Sequence, residues 1–90
     1  MCLFFFYAFV HLAVMEKDEK DFIAGFGKRV KELRIERHLS QEMLANDADI
    51  PINQIGRIER AEISTSLSTI YKIAKALEVN PIVLFGSTAK

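Results

Sequence analysis

From Phe22 onward the apolar residues recur at steps of three and four, the spacing that lays a single stripe along a helix, and no stretch alternates convincingly with a period of two. An all-α chain is the expectation. Phe22, Phe26, Val30, Leu33 and Arg37 share one face of a first helix of about four turns. Ser40 suits the N-cap of a second helix through Leu44, Ala45 and Ala48. Asp49-Ile50-Pro51 breaks that helix, because proline disfavours the α conformation in the residue before it yet fits the first turn of a new helix. A third helix is expected from about Pro51, with Ile55 and Ile58 as its apolar stripe, followed by a polar loop from Ala61 to Ser66. Ser66 caps a fourth helix carrying Leu67, Ile70, Tyr71, Ala74 and Leu77. Asn80 and Pro81 open a short fifth, Ile82 to Phe85, which Gly86 stops.

Composition divides the chain more sharply than its 50% hydrophobic content suggests. Residues 1–15 hold 14 apolar residues, with His11 the exception, and all 12 basic and 12 acidic side chains follow Met15. The expected division is an apolar leader over 1–15, a charged lead-in over 16–21, a folded domain over 22–86 and a tail over 87–90. The leader is shorter than the roughly 20 apolar residues that span a bilayer, and it lacks the positive start and small-residue cleavage site of a secretory signal. Three readings of it stand side by side: translation beginning at Met15, so that 1–14 are not translated; a disordered or interfacial tail; and an extra packing helix. Cys2 is the single cysteine, so no intramolecular disulfide forms and nothing points to an oxidising compartment. A cytoplasmic protein without a membrane partner is expected.

Zero formal net charge argues against a strongly basic, nonspecific nucleic-acid binder, but the balance is local. Residues 16–21 carry net −2 and residues 22–90 net +2, with Lys28, Arg29, Lys31, Arg34, Arg37 and His38 crowded into one segment. Lys28, Arg29 and Lys31 are open to two readings, phosphate contacts or a solvated helix face. Enzyme chemistry finds no footing. Two histidines and one cysteine supply neither a zinc quartet nor a nucleophile with its base, no glycine-rich phosphate loop is present, and no metal or cofactor is expected. His38 reads most simply as a helix C-terminal residue favourable to the dipole.

Short helices with a turn of about three residues between the second and third form the layout of a helix-turn-helix domain. The residues carry a resemblance further. Arg29-Val30-Lys31-Glu32-Leu33-Arg34, Leu39-Ser40-Gln41-Glu42-Met43-Leu44-Ala45, Ile55-Gly56-Arg57-Ile58-Glu59-Arg60 and Leu67 to Leu77 are four ordered motifs at suitable separations. From Phe26 to Phe85 the chain resembles the phage lambda/Cro-repressor-like, or Xre-type, helix-turn-helix family. That resemblance implies a compact five-helix, lambda-repressor-like DNA-binding domain beside the apolar leader.

A helix lying in the major groove needs polar side chains on one face and apolar ones on the other. Asn53, Gln54 and Arg57 can point outward while Ile55 and Ile58 point inward. Asn and Gln suit the adenine edge, Arg suits guanine or a phosphate, and Ile52 could meet a thymine methyl or simply pack on helix two. Unpartnered helix surface is the bland alternative for Asn53 and Gln54. The resemblance assigns Gln41 to the DNA backbone and an adjoining base. Ser40, beside it, suits a phosphate clamp at the helix N-terminus as well as a plain cap. It also gives Arg60, Ser64, Thr65 and Ser66 a second backbone-contacting edge, with solvated loop as the competing account. Finally, it pairs Arg34 with Glu59 in a structural, partly buried ion pair.

Four positions depart from the family pattern. Asp49 and Ala61 stand where glycine is usual, Gly56 lies inside the third helix, and Met43 replaces a capping-box glutamate. The expected function is sequence-specific, single-domain transcriptional regulation by a homodimer on two-fold-related double-stranded DNA; a restriction-modification controller or a phage-type repressor suits this size. The alternative is an antitoxin-type module that binds a partner toxin and autoregulates its operon, so a protein partner stays open.

Overall fold

The computed structural model describes residues 2–85, with side chains from Asp18 onward. Four α-helices and a terminal 3-10 turn follow in order: α1 Cys2–Glu36, α2 Gln41–Ala48, α3 Ile52–Glu59, α4 Leu67–Leu77, then Pro81–Phe85. Every described element is helical. The fold class expected from periodicity holds, with one change at each end. At the C-terminus the expected fifth helix is a five-residue 3-10 turn, too short to gain more than one turn of α-type bonding. Asn80 still starts it, its Oδ1 accepting from the Ile82 amide at 3.0 Å. Expectations for Gly86 and residues 87–90 lie outside the described residues. At the N-terminus the first helix begins at Cys2 instead of Phe22 and runs without interruption to Glu36. The sequence has no proline before Pro51 and no glycine before Gly25 to stop it. Among the described residues no helix is long and apolar enough to cross a membrane.

One core joins all five elements. Val30 and Leu33 of α1, Leu44 of α2, Ile55 and Ile58 of α3, Ile73 and Leu77 of α4 and Leu84 of the 3-10 turn are buried together. Burying each such side chain fully contributes about 1.5–3 kcal/mol. Leu84 is therefore a core residue, whereas Ile82 faces outward and Phe85 is partly exposed. The 3-10 turn is held on α1 by Phe85, whose ring stacks on Phe22 at 5.4 Å and on Phe26 at 5.3 Å, and by Arg29, whose Nε donates to the Val83 carbonyl at 3.2 Å.

Each α-helix is followed, one or two residues past its end, by a non-glycine residue in the left-handed region: His38, Asp49, Ala61 and Glu78, with φ near 60°. The left-handed residue turns the chain back over the last turn, so the next residue's amide reaches a carbonyl five positions earlier: Leu39 to Arg34, Ile50 to Ala45, Glu62 to Arg57, Val79 to Ala74. Leu39, Ile50 and Val79 then tuck against the core. This is why α2 and α3 are separated by only Asp49, Ile50 and Pro51.

Candidate nucleic-acid interface

The orientation of α3 is set by its contact with α1. Gly27 faces the end of α3 so closely that a Cβ built on it would collide with the Ile58 carbonyl oxygen. Nothing in the local sequence announces this, because a lone glycine in a helical pattern does not reveal what approaches it. Seven residues on, two turns along the same face of α1, Arg34 grips α3 directly. Its Nε donates to Glu59 Oε2 at 2.7 Å, its second terminal nitrogen donates to Oε1 at 3.2 Å, and its remaining one donates to the Leu39 carbonyl at 2.8 Å. The pair is nearly sealed from solvent, at 12% exposure for the Arg34 side chain and 2% for that of Glu59. Gln41 completes the cluster, its amide donating to Glu59 Oε1 at 3.0 Å. A fork of this kind fixes direction as well as distance. It joins α1, the α1–α2 turn, the start of α2 and the end of α3.

Locked in this way, α3 turns Ile55, Gly56 and Ile58 inward and leaves Asn53 and Arg57 exposed, with Gln54 half-buried and Ile52 half-exposed. Asn53 and Arg57 lie one turn apart on a common face. Pro51 precedes α3 with no side-chain cap. Ile52 is thus on the surface of α3 and outside the buried core, at 49% exposure.

The second predicted group is split between roles already occupied within the fold. Ser40 caps α2, accepting from the Met43 amide at 3.0 Å, and Ser66 caps α4, accepting from the Thr69 amide at 3.2 Å. Ser64 is exposed and Thr65 half-buried on the loop between α3 and α4. Arg60 is exposed at the end of α3 and is engaged by Glu62, which accepts from its Nε at 2.8 Å. The hydrogen bond to Glu62, and then its charge, raise the Arg60 guanidinium above its ordinary value. The same bond lowers the Glu62 carboxyl. Glu62 was not singled out in the sequence. Its one legible signal is an acid in a loop otherwise free of charge between Arg60 and Lys72. Lys28 and Lys31 are exposed on α1, while Arg29 is committed to Val83 and, at 3.4 Å, to Glu32.

The surface offered is thus polar and helical, built from the exposed side of α3, the start of α2 and the loop after α3. It presents guanidinium and amide donors with amide acceptors. Among the described residues no group of three metal-ligating side chains gathers anywhere.

Comparison with known proteins matches residues 30–84 to a family described as helix-turn-helix. The chain is 42% identical over 57 residues to the control protein C.BamHI of Bacillus amyloliquefaciens, covering 62% of this chain and 70% of that protein. It is 37% identical over 60 residues to the immunity repressor protein of Bacillus phage phi105, covering 67% of this chain and 42% of that protein. Its fold is similar to the crystal structure of the restriction-modification controller protein C.AhdI from Aeromonas hydrophila. The TM-score is 0.69 at 40% identity, over 70% of this chain and 96% of that one.

Proposed function

The chain belongs to the helix-turn-helix family, and from that premise we propose that it is a sequence-specific DNA-binding transcriptional regulator whose α3 enters the major groove. The observation that carries this reading is the two-sidedness of α3: Ile55 and Ile58 are sealed in the core while Asn53 and Arg57, one turn apart, are exposed. Asn53, Gln54 and Arg57 read base edges, Ile52 lies against a thymine methyl, and Gln41 reaches an adjoining base from the start of α2. Ser40, Arg60, Ser64, Thr65 and Ser66 hold the phosphates on either side. Ser40 does so from its capping position, since a cap uses the hydroxyl oxygen as acceptor and leaves its proton for a phosphate, whereas Ser66 exchanges the bond its hydroxyl donates to Thr69 Oγ1 at 3.1 Å for one to a phosphate.

One domain of this size reaches only a few base pairs, so the working unit is a homodimer on half-sites about one helical turn apart. Its place is the cytoplasm, and its chemistry is binding without catalysis. The named functions of the C.BamHI, phi105 and C.AhdI proteins, two controllers and a repressor, support regulation of transcription over the toxin-partner alternative.

Selection from a random-sequence duplex pool at two salt concentrations tests the reading. Enrichment of a two-fold-related sequence that persists at the higher salt is the expected result; a folded protein that enriches nothing overturns it. Replacing Asn53, Gln54 and Arg57 together by alanine abolishes selectivity and leaves helicity unchanged. Loss of folding instead means that the wrong face of α3 was chosen.

A further inference from the structure

At the exit of α3 a single carboxylate occupies two guanidinium groups of the proposed DNA face. Glu62 accepts from Arg60 through Nε at 2.8 Å and through a terminal nitrogen at 3.4 Å, and its Oε1 lies 3.8 Å from Arg57 Nε. The side chains of Arg57, Arg60 and Glu62 are each about half exposed, at 52%, 59% and 48%. Two backbone features bring the three together. Ala61, in the left-handed region, folds the chain so that the Glu62 amide donates to the Arg57 carbonyl at 2.8 Å. Gly56, with no side chain, leaves the space in which Arg60 lies back along α3; a Cβ there would stand 3.0 Å from the guanidinium.

Exposed ion pairs contribute little to stability, so the fold alone gives no reason for this arrangement. Its consequence is for binding. The carboxylate takes the guanidinium edge of Arg60 that a phosphate would take, and it stands in ion-pair range of Arg57 without a hydrogen bond, so that Arg57 stays open to a guanine edge. A phosphate that displaced it would carry a second negative charge into contact with Glu62. A guanine edge, with neutral O6 and N7 acceptors, would not. We propose that Glu62 is a specificity-determining residue: it opposes charge-only contact of Arg57 and Arg60 with phosphates, and only where a base edge offers Arg57 a bidentate acceptor does the complex outweigh the cost of Arg60 exchanging Glu62 for its phosphate. Discrimination then comes from weakening the wrong complex more than the right one. This inference rests on the reading of α3 as the element that enters the groove.

The test compares Glu62→Gln with the wild-type chain on the sequence enriched from a random pool and on an unrelated duplex. Glu78→Gln serves as a control that removes one negative charge elsewhere, at a residue that is 81% exposed and 3.6 Å from Arg37. Glu62→Gln should tighten binding to unrelated DNA about three- to tenfold at low salt and steepen the salt slope by about one. The enriched sequence gains less, so the ratio between the two falls. Glu62→Lys moves all three quantities further in the same direction, and Glu78→Gln changes each less than about twofold. Unaltered affinity and slope for unrelated DNA in Glu62→Gln, or equal gains in Glu78→Gln, overturn the proposal while leaving the DNA-binding reading in place. A wild-type chain that is folded but enriches no sequence defeats the DNA-binding reading itself.

Discussion

Two arginine–glutamate clusters flank the end of α3, and they differ in almost everything but composition. Arg34 and Glu59 are sealed in the seam with α1, joined by a two-pronged fork at 2.7 and 3.2 Å, and tied further to Leu39 and Gln41. Arg57, Arg60 and Glu62 lie in the open loop, with one of the two pairs as long as 3.8 Å. A buried pair cannot be parted without leaving a charge uncompensated, whereas an exposed one can exchange partners with water, salt or a ligand. The seam therefore belongs to the scaffold that aims α3, and the loop to the surface it aims. Perturbing each cluster in turn tests this division.

The largest effect is expected in the seam. Glu59→Ala leaves Arg34 buried without its counter-charge and Gln41 without its acceptor, at a cost of about 3–5 kcal/mol. In a domain this small that is enough to lower the thermal midpoint by about 12 °C or more. Replacing both partners, Arg34→Met with Glu59→Leu, should recover much of the loss, because two apolar groups of similar volume carry no stranded charge. Circular dichroism melts of the three chains decide it. If the double variant is no better than Glu59→Ala, the hydrogen bonds to Leu39 and Gln41 matter more than the charges.

Next comes a pair of identical substitutions expected to have opposite signs. Gly27→Ala forces a Cβ against the Ile58 carbonyl, so α1 and α3 must separate, costing about 1–3 kcal/mol. Gly25→Ala, two residues earlier on the same helix, meets nothing within 4 Å and should gain up to about 1 kcal/mol from helix propensity. Denaturant midpoints measured on both variants separate the close approach from the general cost of glycine in a helix. A loss in both would mean that the seam is not where α1 and α3 are held.

These positions mark how far the sequence could be read. Caps at Ser40, Ser66 and Asn80 were legible because a cap is a local event, decided by one side chain and an amide two or three residues on. The two faces of α3 were legible because burial repeats with the helical period. Arg34 and Glu59 are 25 residues apart, and only the family resemblance brought them together. Gly27 is not legible because its meaning lies in a carbonyl of another helix. The extent of α1 is not legible because the change of composition near residue 16 suggests a boundary, while the backbone runs on in the absence of a helix breaker. Gln41, a DNA contact by the family resemblance, also bonds Glu59 through its side chain, so it stands on the border between scaffold and surface.

A smaller effect is expected where the two clusters meet, at Ala61. This residue holds φ 61°, a conformation that an L side chain adopts at a cost of about 1–2 kcal/mol and glycine adopts freely. Ala61→Gly should therefore gain up to about 1 kcal/mol, the greater freedom of glycine in the unfolded chain offsetting the rest. A melt shows the gain directly. A loss would mean that the alanine methyl is packed more usefully than its backbone is strained.

The smallest effect on stability belongs to Glu62, and its pH dependence shows why. Its carboxyl is held below the ordinary glutamate value of 4.5, chiefly by the hydrogen bond from Arg60. A folded-state value below the unfolded one means that any stabilisation is present above pH 4.5 and is lost as the pH falls through the lower, folded value. Solvent screening at this exposed site reduces that contribution towards zero. Wild type and Glu62→Gln should then melt within about 1 °C of each other at pH 7 as well as at pH 3. A gap that is open at pH 7 and closes in acid would make the loop cluster part of the scaffold. The equal midpoints expected instead leave Glu62 free to act where the seam cannot, in the choice of what Arg57 and Arg60 hold.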